Sequence, residues 1–330
     1  MQLIVIIGFA VILSVPPQGW RQVWLPDASA SLSAAAAQCV APWIVASVGA
    51  WLVRRGARVS PPSASRLHAR VGLIVRLTIV GGLLLTMIQT SWPMIVRRSW
   101  GLDRWHLVDE LVMLAPFLLA ILLAWWAAYP AETALRHGGG DVGHERGWTR
   151  RRYMVFQIRH QLLLVAGPMA VILLVQDVTD QGHEWLVAVT GASWAPGGVM
   201  ALTAAGLFLL APLIVRRIWS TAPLPAGPLH DRLIRLCRRV GLGYRRILVW
   251  RSNRMVVNAA VMGLIRPVRY LLLSDGLIAS MTDRQIEAVF GHEVGHVKKH
   301  HLLFYGIFAV APALVAGGLF EVAWRWGRWD

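Results

Sequence analysis

The strongest constraint on the fold of this chain is a series of apolar runs, each long enough to cross a bilayer as a helix. A transmembrane helix needs about 20 consecutive apolar residues. Five runs meet this requirement: 33–53, 71–89, 107–129, 197–215 and 302–320. Shorter runs at 2–15 and 161–176 are weaker candidates. The pattern therefore predicts an α-helical multi-span membrane protein with about 6–7 transmembrane helices.

Composition agrees with this interpretation. Hydrophobic residues make up 56% of the 330-residue chain and charged residues 15%, whereas a soluble domain carries about 25% charged residues. The net charge of +16 could indicate nucleic-acid binding, but the basic residues lie mostly between the apolar runs, as in proteins that follow the positive-inside rule. We therefore expect the lipid bilayer, and no nucleic acid, as a partner.

The loop charges predict an orientation. The most basic segments are 54–70, 130–160 and 216–301, whereas 177–196 has no lysine or arginine. With seven spans and the N-terminus inside, all three basic segments fall on the cytoplasmic side. The arginines of 90–106 are the exception, because this arrangement places them outside. The arginine-rich composition is typical of a bacterial source. We therefore expect a multi-pass protein of the bacterial inner membrane.

Two features near span ends leave alternatives open. Residues 2–15 form either a retained short span or a signal peptide that is cleaved after Ala28-Ser29-Ala30. Arg76, Asp109 and Glu110 lie inside or at the edge of apolar runs. Because all three are close to a span end, we expect their charged groups to reach water by snorkelling.

The one long polar region, 216–301, has the pattern of a small mixed α/β unit. Prolines and a glycine at 223–228 are typical of a linker, and 229–242 has helical spacing. Short β-rich runs follow at 247–250, 255–261 and 268–274. A capping-box pattern at 282–285 then predicts a helix to about residue 300.

This last helix carries His292-Glu293-Val294-Gly295-His296, an HExxH sequence. Residues four apart on a helix lie one turn above each other, so His292 and His296 can bind one Zn²⁺ per chain. Glu293 lies between them and can accept a proton from a zinc-activated water molecule that attacks a peptide carbonyl.

The helical wheel places Glu293 within an apolar stripe, with the two histidines on its flank and Glu287 on the opposite side. The stripe consists of Ile286, Val289, Phe290, Val294 and Val297. A carboxylate on the buried side of a helix requires a partner or a function. Eight residues of helix separate His292 from His300 by about 12 Å, so we expect His300 and His301 to support the ligands or the helix C-terminus rather than bind zinc.

Three stretches in this region, within about 229–301, together resemble the CAAX prenyl protease/HtpX-type family of integral-membrane zinc metallopeptidases. They are Asn258-Ala259, Arg269–Leu277 and Gln285–Val297. The resemblance implies a small α+β gluzincin-type region in which His292 and His296 are zinc ligands and Glu293 is the general base. It also implies that Asn258-Ala259 is a strand edge that binds substrate backbone; the alternative is that Asn258 is a turn or edge residue only.

The third zinc ligand of the family, a glutamate from a later helix, has no clear counterpart. Glu321 is the single glutamate after His296, and a predicted span separates the two. We therefore expect the chain to be the N-terminal part of a longer protein, or one that kept the fold and lost activity. The predicted organisation is a multi-span region at 1–220, an incomplete cytoplasmic metallopeptidase core at 221–301, and a further span with a short tail at 302–330.

These observations favour a membrane-bound zinc metalloendopeptidase that cleaves peptide or membrane-protein substrates without a covalent intermediate. Two alternatives stay open: a membrane signal transducer of the antirepressor-sensor metallopeptidase type, and a catalytically inactive membrane scaffold. The substrate and the oligomeric state do not follow from the sequence.

Overall fold

A computed structural model gives the fold of most of the chain. It describes residues 27–102, 105–137, 149–254, 256–299 and 304. The chain divides into two compact units, Met1–Ala204 and Ala205–Asp330. The predicted runs at 2–15 and 302–320 lie outside the described residues, apart from Phe304. His300, His301 and Glu321 also lie outside them.

The first unit is helical. Its helices are α1 (Ala28–Ala57), α2 (Pro61–Ile88), α3 (Trp92–Met94), α4 (His106–His137), α5 (Arg150–Gln157), α6 (Leu163–Gln181), α7 (His183–Thr190) and α8 (Ala195–Ile218), the last of which continues into the second unit. Two π-helical segments, Ile95–Ser99 and Ile158–Leu162, follow α3 and join α5 to α6.

Five helical stretches are long and apolar enough to cross a membrane. They are Ala28–Ala57, Pro61–Ile88, His106–Leu135, Arg150–Gln181 and Ala195–Ile218. They contain four of the five strong predicted runs almost completely, together with the weaker run at 161–176. Five candidate spans are therefore found within the described part of the chain.

Small residues on α1 allow it to pack closely against its neighbours. A Cβ atom added at Gly49 would lie 2.2 Å from a methyl carbon of Val71 in α2, and Ala46 and Ala50 are buried beside it in the sequence. Small residues are typical of contacts between membrane helices because they let the backbones approach. The larger buried side chains of this unit are Ile79, Leu83, Met87, Met113, Leu114, Phe117 and Ile121.

The carboxylates at the start of α4 do not snorkel, and this corrects the sequence-based expectation. Asp109 and Glu110 are 1% and 4% exposed. The Arg97 guanidinium donates from Nε to Asp109 Oδ2 over 2.8 Å and from Nη2 to Glu110 Oε1 over 3.2 Å. The π-helical segment after α3 supplies this arginine, so both carboxylates are paired inside the unit rather than solvated.

Asp177, the first residue of the segment without lysine or arginine, lies in the last turns of α6 and is buried. Its Oδ1 accepts from the backbone N–H of His106 over 2.6 Å, and its Oδ2 accepts from that of Leu107 over 3.0 Å. These N–H groups at the start of α4 lack partners within the helix. Asp177 therefore caps α4 and complements the positive end of its dipole.

The second unit, besides the end of α8, contains a four-stranded sheet with helices. In chain order its elements are β1 (Thr221–Pro223), α9 (Pro228–Arg239), β2 (Arg246–Trp250), β3 (Ala259–Met262), β4 (Tyr270–Ser274), α10 (Asp275–Ser280) and α11 (Asp283–Lys298). The strand order is β1-β2-β4-β3; β2 and β4 are parallel, and the other two pairs are antiparallel. The short strand β1 was missed, because its end at Pro223 reads as linker; an edge strand tolerates proline there.

The two faces of the sheet bury different clusters. Ile247, Leu271 and Leu273 pack with Leu233 of α9 and Phe290 of α11. The alternate residues Leu248, Trp250, Tyr270 and Leu272 pack with Leu213 and Trp219 at the end of α8. Strand β4 is buried along its whole length because it lies between β2 and β3 and is covered on both faces.

The cysteines play no covalent role in this fold. Cys39 and Cys237 are both free thiols. Burial on the packed face of α9 raises the pKa of the Cys237 thiol to about 11, so this side chain is neutral at physiological pH and acts as a small apolar core residue.

Candidate metal centre

A capping box defines the start of α11, the helix that carries the HExxH sequence. Thr282 caps α11: its Oγ1 accepts from the Gln285 backbone N–H over 3.4 Å, and Gln285 Oε1 accepts from the Thr282 N–H over 2.9 Å. Both bonds of the capping box are present, as the sequence indicated. Ile286, Phe290 and Val294 then form the buried row of the helix.

This buried row leaves the two histidines on a more accessible face. His292 is exposed and His296 half-buried. Their Nε2 atoms lie 3.1 Å apart, and the rings meet almost perpendicularly, at 84°. Two nitrogens bound to one tetrahedral zinc at about 2.0–2.1 Å would be separated by roughly 3.3 Å. The geometry of the pair therefore fits a single zinc ion.

The two glutamates of α11 are both half-buried, whereas the helical wheel placed them on opposite sides of the helix. Glu293 is half-buried beside the buried row, between the two histidines in sequence. Glu287, expected on the opposite face, is also half-buried, and its Oε2 accepts from Arg232 Nη1 of α9 over 3.2 Å. The wheel placed Glu287 wrongly because α9 packs against the flank of α11 as well as its apolar stripe.

Within the described residues, no group of three histidine, cysteine, aspartate or glutamate side chains converges on one point. The described part of the site therefore brings together two candidate metal ligands, His292 and His296. The predicted supporting residues His300 and His301, and Glu321, fall outside the described ranges.

Asn258 and Ala259 lie at the edge of the sheet that packs against α11. Ala259 begins β3, the outermost strand on this side, and belongs to the same buried cluster as Phe290 and Val294. The Ser274 N–H donates to the Asn258 carbonyl oxygen, so in the register of β3 with β4 the hydrogen-bonded pairs continue at Ala260 and Met262. The N–H and C=O groups of Ala259 and Val261 therefore point away from β4. The Ala259 N–H is held by the Asn258 side-chain oxygen over 2.9 Å.

The turn after β4 holds this edge in place, a role that the sequence did not reveal. The buried Ser274 hydroxyl accepts from the Asn258 N–H over 2.9 Å and from the Leu277 N–H over 3.1 Å. It therefore caps α10 and joins the start of β3 to it. The only sequence signal was a serine–aspartate pair directly after an apolar strand.

Asp275 and Gly276 complete the turn. Asp275 Oδ1 accepts from the buried Ser252 hydroxyl over 2.6 Å and from the Arg254 N–H over 3.1 Å. A Cβ atom at position 276 would lie 2.3 Å from the Val256 carbonyl oxygen, so only glycine fits there. Arg269, at the other end of β4, donates to the carbonyls of Gly243, Gly263 and Leu264.

Ser274→Ala tests this arrangement. The substitution removes a helix cap and leaves the Asn258 N–H without its acceptor, so we expect a loss of about 1–2 kcal/mol in the free energy of unfolding. A lower midpoint of thermal unfolding of the detergent-purified protein would measure it. Ser280→Ala, at an exposed position in the same helix, is the matched control, and equal midpoints for the two variants would contradict the assigned role.

Comparison with known proteins decides the type of this region. Residues 223–326 match the model of peptidase family M48. This region is of the CAAX prenyl protease/HtpX type. CAAX prenyl protease 1 of Saccharomyces cerevisiae is 30% identical over 105 residues, which cover 31% of this chain and 23% of that protein. Protease HtpX of Xylella fastidiosa is 30% identical over 100 residues, covering 28% and 34%.

The resemblance in sequence is limited to this M48 region, and the matches span between about a quarter and a third of the curated relatives. The likeness in fold extends further. The crystal structure of S. mikatae Ste24p aligns with 90% of this chain and 74% of its own, with a TM-score of 0.56 and 19% identity. The chain therefore combines a metalloprotease-family region with apolar helices of membrane-spanning length.

Proposed function

We propose that this protein is a membrane-bound zinc metalloendopeptidase. The observation that carries the proposal is the 3.1 Å approach of the His292 and His296 Nε2 atoms on a helix of an M48-type region, with Glu293 between them in sequence. The substrates that fit this reading are peptides or segments of membrane proteins. The proposal includes a third zinc ligand from outside the described residues.

In this mechanism His292 and His296 hold the metal through Nε2. Zinc, when bound, supplies Lewis-acid activation of a water molecule and of the substrate carbonyl. The Glu293 carboxylate accepts the proton of the attacking water and then delivers it to the leaving amine. Phe290 and Val294, both buried, fix the rotation of α11 and leave His292 exposed and Glu293 and His296 half-buried.

Zinc content tests the proposal directly. We expect near-stoichiometric zinc in the detergent-purified chain and its loss in His296→Ala, because one imidazole cannot hold the ion alone. Elemental analysis of both proteins, after dialysis against the same buffer, gives the answer. Zinc in the wild-type chain no higher than in the variant would contradict the proposed centre.

The edge of β3 is proposed to bind substrate backbone. An extended peptide can add to an exposed strand edge by pairing with its outward N–H and C=O groups, here both groups of Val261 and the C=O of Ala259, whose N–H is bonded to the Asn258 side chain. The Asn258 side chain, exposed at the start of this edge, would bind the same peptide. This places the substrate along the strand that packs against the HExxH helix.

Val261→Pro should weaken substrate binding without removing zinc. Proline deletes the outward N–H, and an edge strand tolerates it; the loss of one hydrogen bond corresponds to about a tenfold lower kcat/KM, expressed mainly in KM. Val261→Ala removes the same side-chain packing but keeps the N–H. Equal kcat/KM values for the two variants would argue against substrate pairing at β3.

We further propose that the active site lies on the cytoplasmic side of a bacterial inner membrane. Support comes from charge: the described ends of α1 and α8 carry Arg54, Arg55, Arg216 and Arg217, and the M48-type region follows α8 directly. Basic residues at span ends favour the cytoplasmic side. A cysteine introduced at the exposed Ser280 tests the orientation. We expect a membrane-impermeant thiol reagent to label it in opened cells and not in intact cells; labelling in intact cells would contradict the cytoplasmic placement.

A further inference from the structure

A basic cavity lies at one end of the first unit, in helices that are not part of the metal centre. It has a volume of about 630 Å³ and is lined by Arg54, Arg58, Tyr129, Pro130, Thr133 and Arg150, besides two alanines. This volume is within the range of small-molecule sites, about 300–1,000 Å³. Its described lining contains three guanidinium groups and no carboxylate, so the cavity is suited to an anion.

Arg150 is held there by aromatic rings. Its guanidinium carbon lies 4.5 Å from the Trp126 ring centroid and 5.3 Å from that of Tyr129. Its Nε is buried and donates to no acceptor among the described residues, and no described carboxylate lies within ion-pair distance of the side chain. A positioned guanidinium with a buried, unused donor favours an oxyanion at this place.

An apolar groove adjoins the basic cavity. It has a volume of about 270 Å³, shares Arg54, Pro130 and Arg150 with the cavity, and is further lined by Trp43, Trp51 and Trp126. These tryptophans are 42–56% exposed and lie on α1 and α4, both of membrane-spanning length. Of these, Trp51 lies within two turns of the end of α1, and an exposed tryptophan at such a position is typical of the lipid interface.

We propose that the cavity and groove together bind an anionic phospholipid. The phosphate of its headgroup lies among Arg54, Arg58 and Arg150, and an acyl chain follows the tryptophan-lined groove. The shared lining residues connect the charged part of the site to a lipid-facing surface, which a free anion would leave unused. Basic pockets between membrane helices recognise lipid headgroups in this way.

The lipid would link the end of α1 to α4 and to the first residue of α5. Because a ligand that binds only the folded state stabilises it, the site predicts selective stabilisation by anionic lipid. This prediction concerns the first unit alone and is independent of the proposed peptidase activity.

The test is the thermal unfolding midpoint of the full chain in mixed micelles of neutral detergent with phosphatidylglycerol or with phosphatidylcholine. We expect phosphatidylglycerol to raise the midpoint and phosphatidylcholine to have little effect. The double variant Arg54→Gln/Arg150→Gln lacks two basic contacts. We expect it to need roughly 30-fold more phosphatidylglycerol for half of the rise in midpoint. The control pair Arg151→Gln/Arg152→Gln, which changes the net charge equally at exposed positions, should respond as the wild type does.

Three outcomes would overturn the proposal. The first is an equal response to both lipids, and the second is an equal loss in the control pair, which would indicate general surface charge. The third is the same protection by inorganic phosphate at matched concentration, which would indicate a free-anion site. If the double variant does not fold, Arg54→Gln alone, at an exposed position, should still shift the half-effect concentration by about fivefold; no shift would contradict the site.

Discussion

Replacing Glu293 with glutamine is expected to reduce peptide hydrolysis by about 100- to 10,000-fold, the usual contribution of a general base. Glutamine has nearly the same shape as glutamate but cannot accept the proton of the attacking water. The histidine pair, with Nε2 atoms 3.1 Å apart, is untouched, so zinc should stay bound. Single-turnover cleavage of an unfolded protein substrate, measured together with zinc content, separates the two properties.

A matched control is available on the same helix. Glu287→Gln makes the same chemical change six residues earlier, where the carboxylate pairs with Arg232; a partly exposed ion pair of this kind contributes little to stability. This variant should retain near wild-type cleavage. Cleavage by Glu293→Gln at the wild-type rate, with zinc in place, would remove Glu293 from the mechanism and favour another base.

The largest effect on stability is expected for Arg97→Ala. The change leaves Asp109 and Glu110 buried without their cation, and breaking a buried pair from one side costs about 3–5 kcal/mol. The unfolding midpoint of the detergent-purified protein should therefore fall strongly. Arg98→Ala, the adjacent arginine, is exposed and should have little effect.

A compensated variant distinguishes charge from shape. In Arg97→Met combined with Asp109→Asn and Glu110→Gln, no buried charge is left without a partner, so most of the lost stability should return. If this triple variant is as unstable as Arg97→Ala, the arginine contributes mainly through packing, and the interpretation of the trio as a buried ion cluster would be wrong.

The local elements of this protein could be predicted from sequence because each depends on neighbours along the chain. Apolar runs of about 20 residues predict spans, and five candidate spans are found among the described residues. The capping box at Thr282 and the i, i+4 spacing of His292 and His296 likewise depend only on helix geometry. The β-rich runs correspond to β2, β3 and β4 within a few residues.

The pairings between distant segments were decided by the tertiary structure alone. The strand order makes β3 an edge beside α11, and Ser274 connects to Asn258 across 16 residues. Likewise, Arg97 reaches Asp109 and Glu110 from a separate π-helical segment. A periodic pattern shows which face of an element is apolar, but not which other element covers it.

The sequence by itself therefore determined the local spacing of the candidate ligands, and the tertiary structure decided which segments surround them. The two histidines of an HExxH sequence lie close together whenever the segment is helical, because an α-helix places residues four apart on one face. The strand edge beside it, the turn that holds that edge, and the arginine pocket on α1, α4 and α5 depend on contacts between residues far apart in the chain. Such contacts form only when the whole unit packs, since burial and hydrogen bonding then select one partner among many.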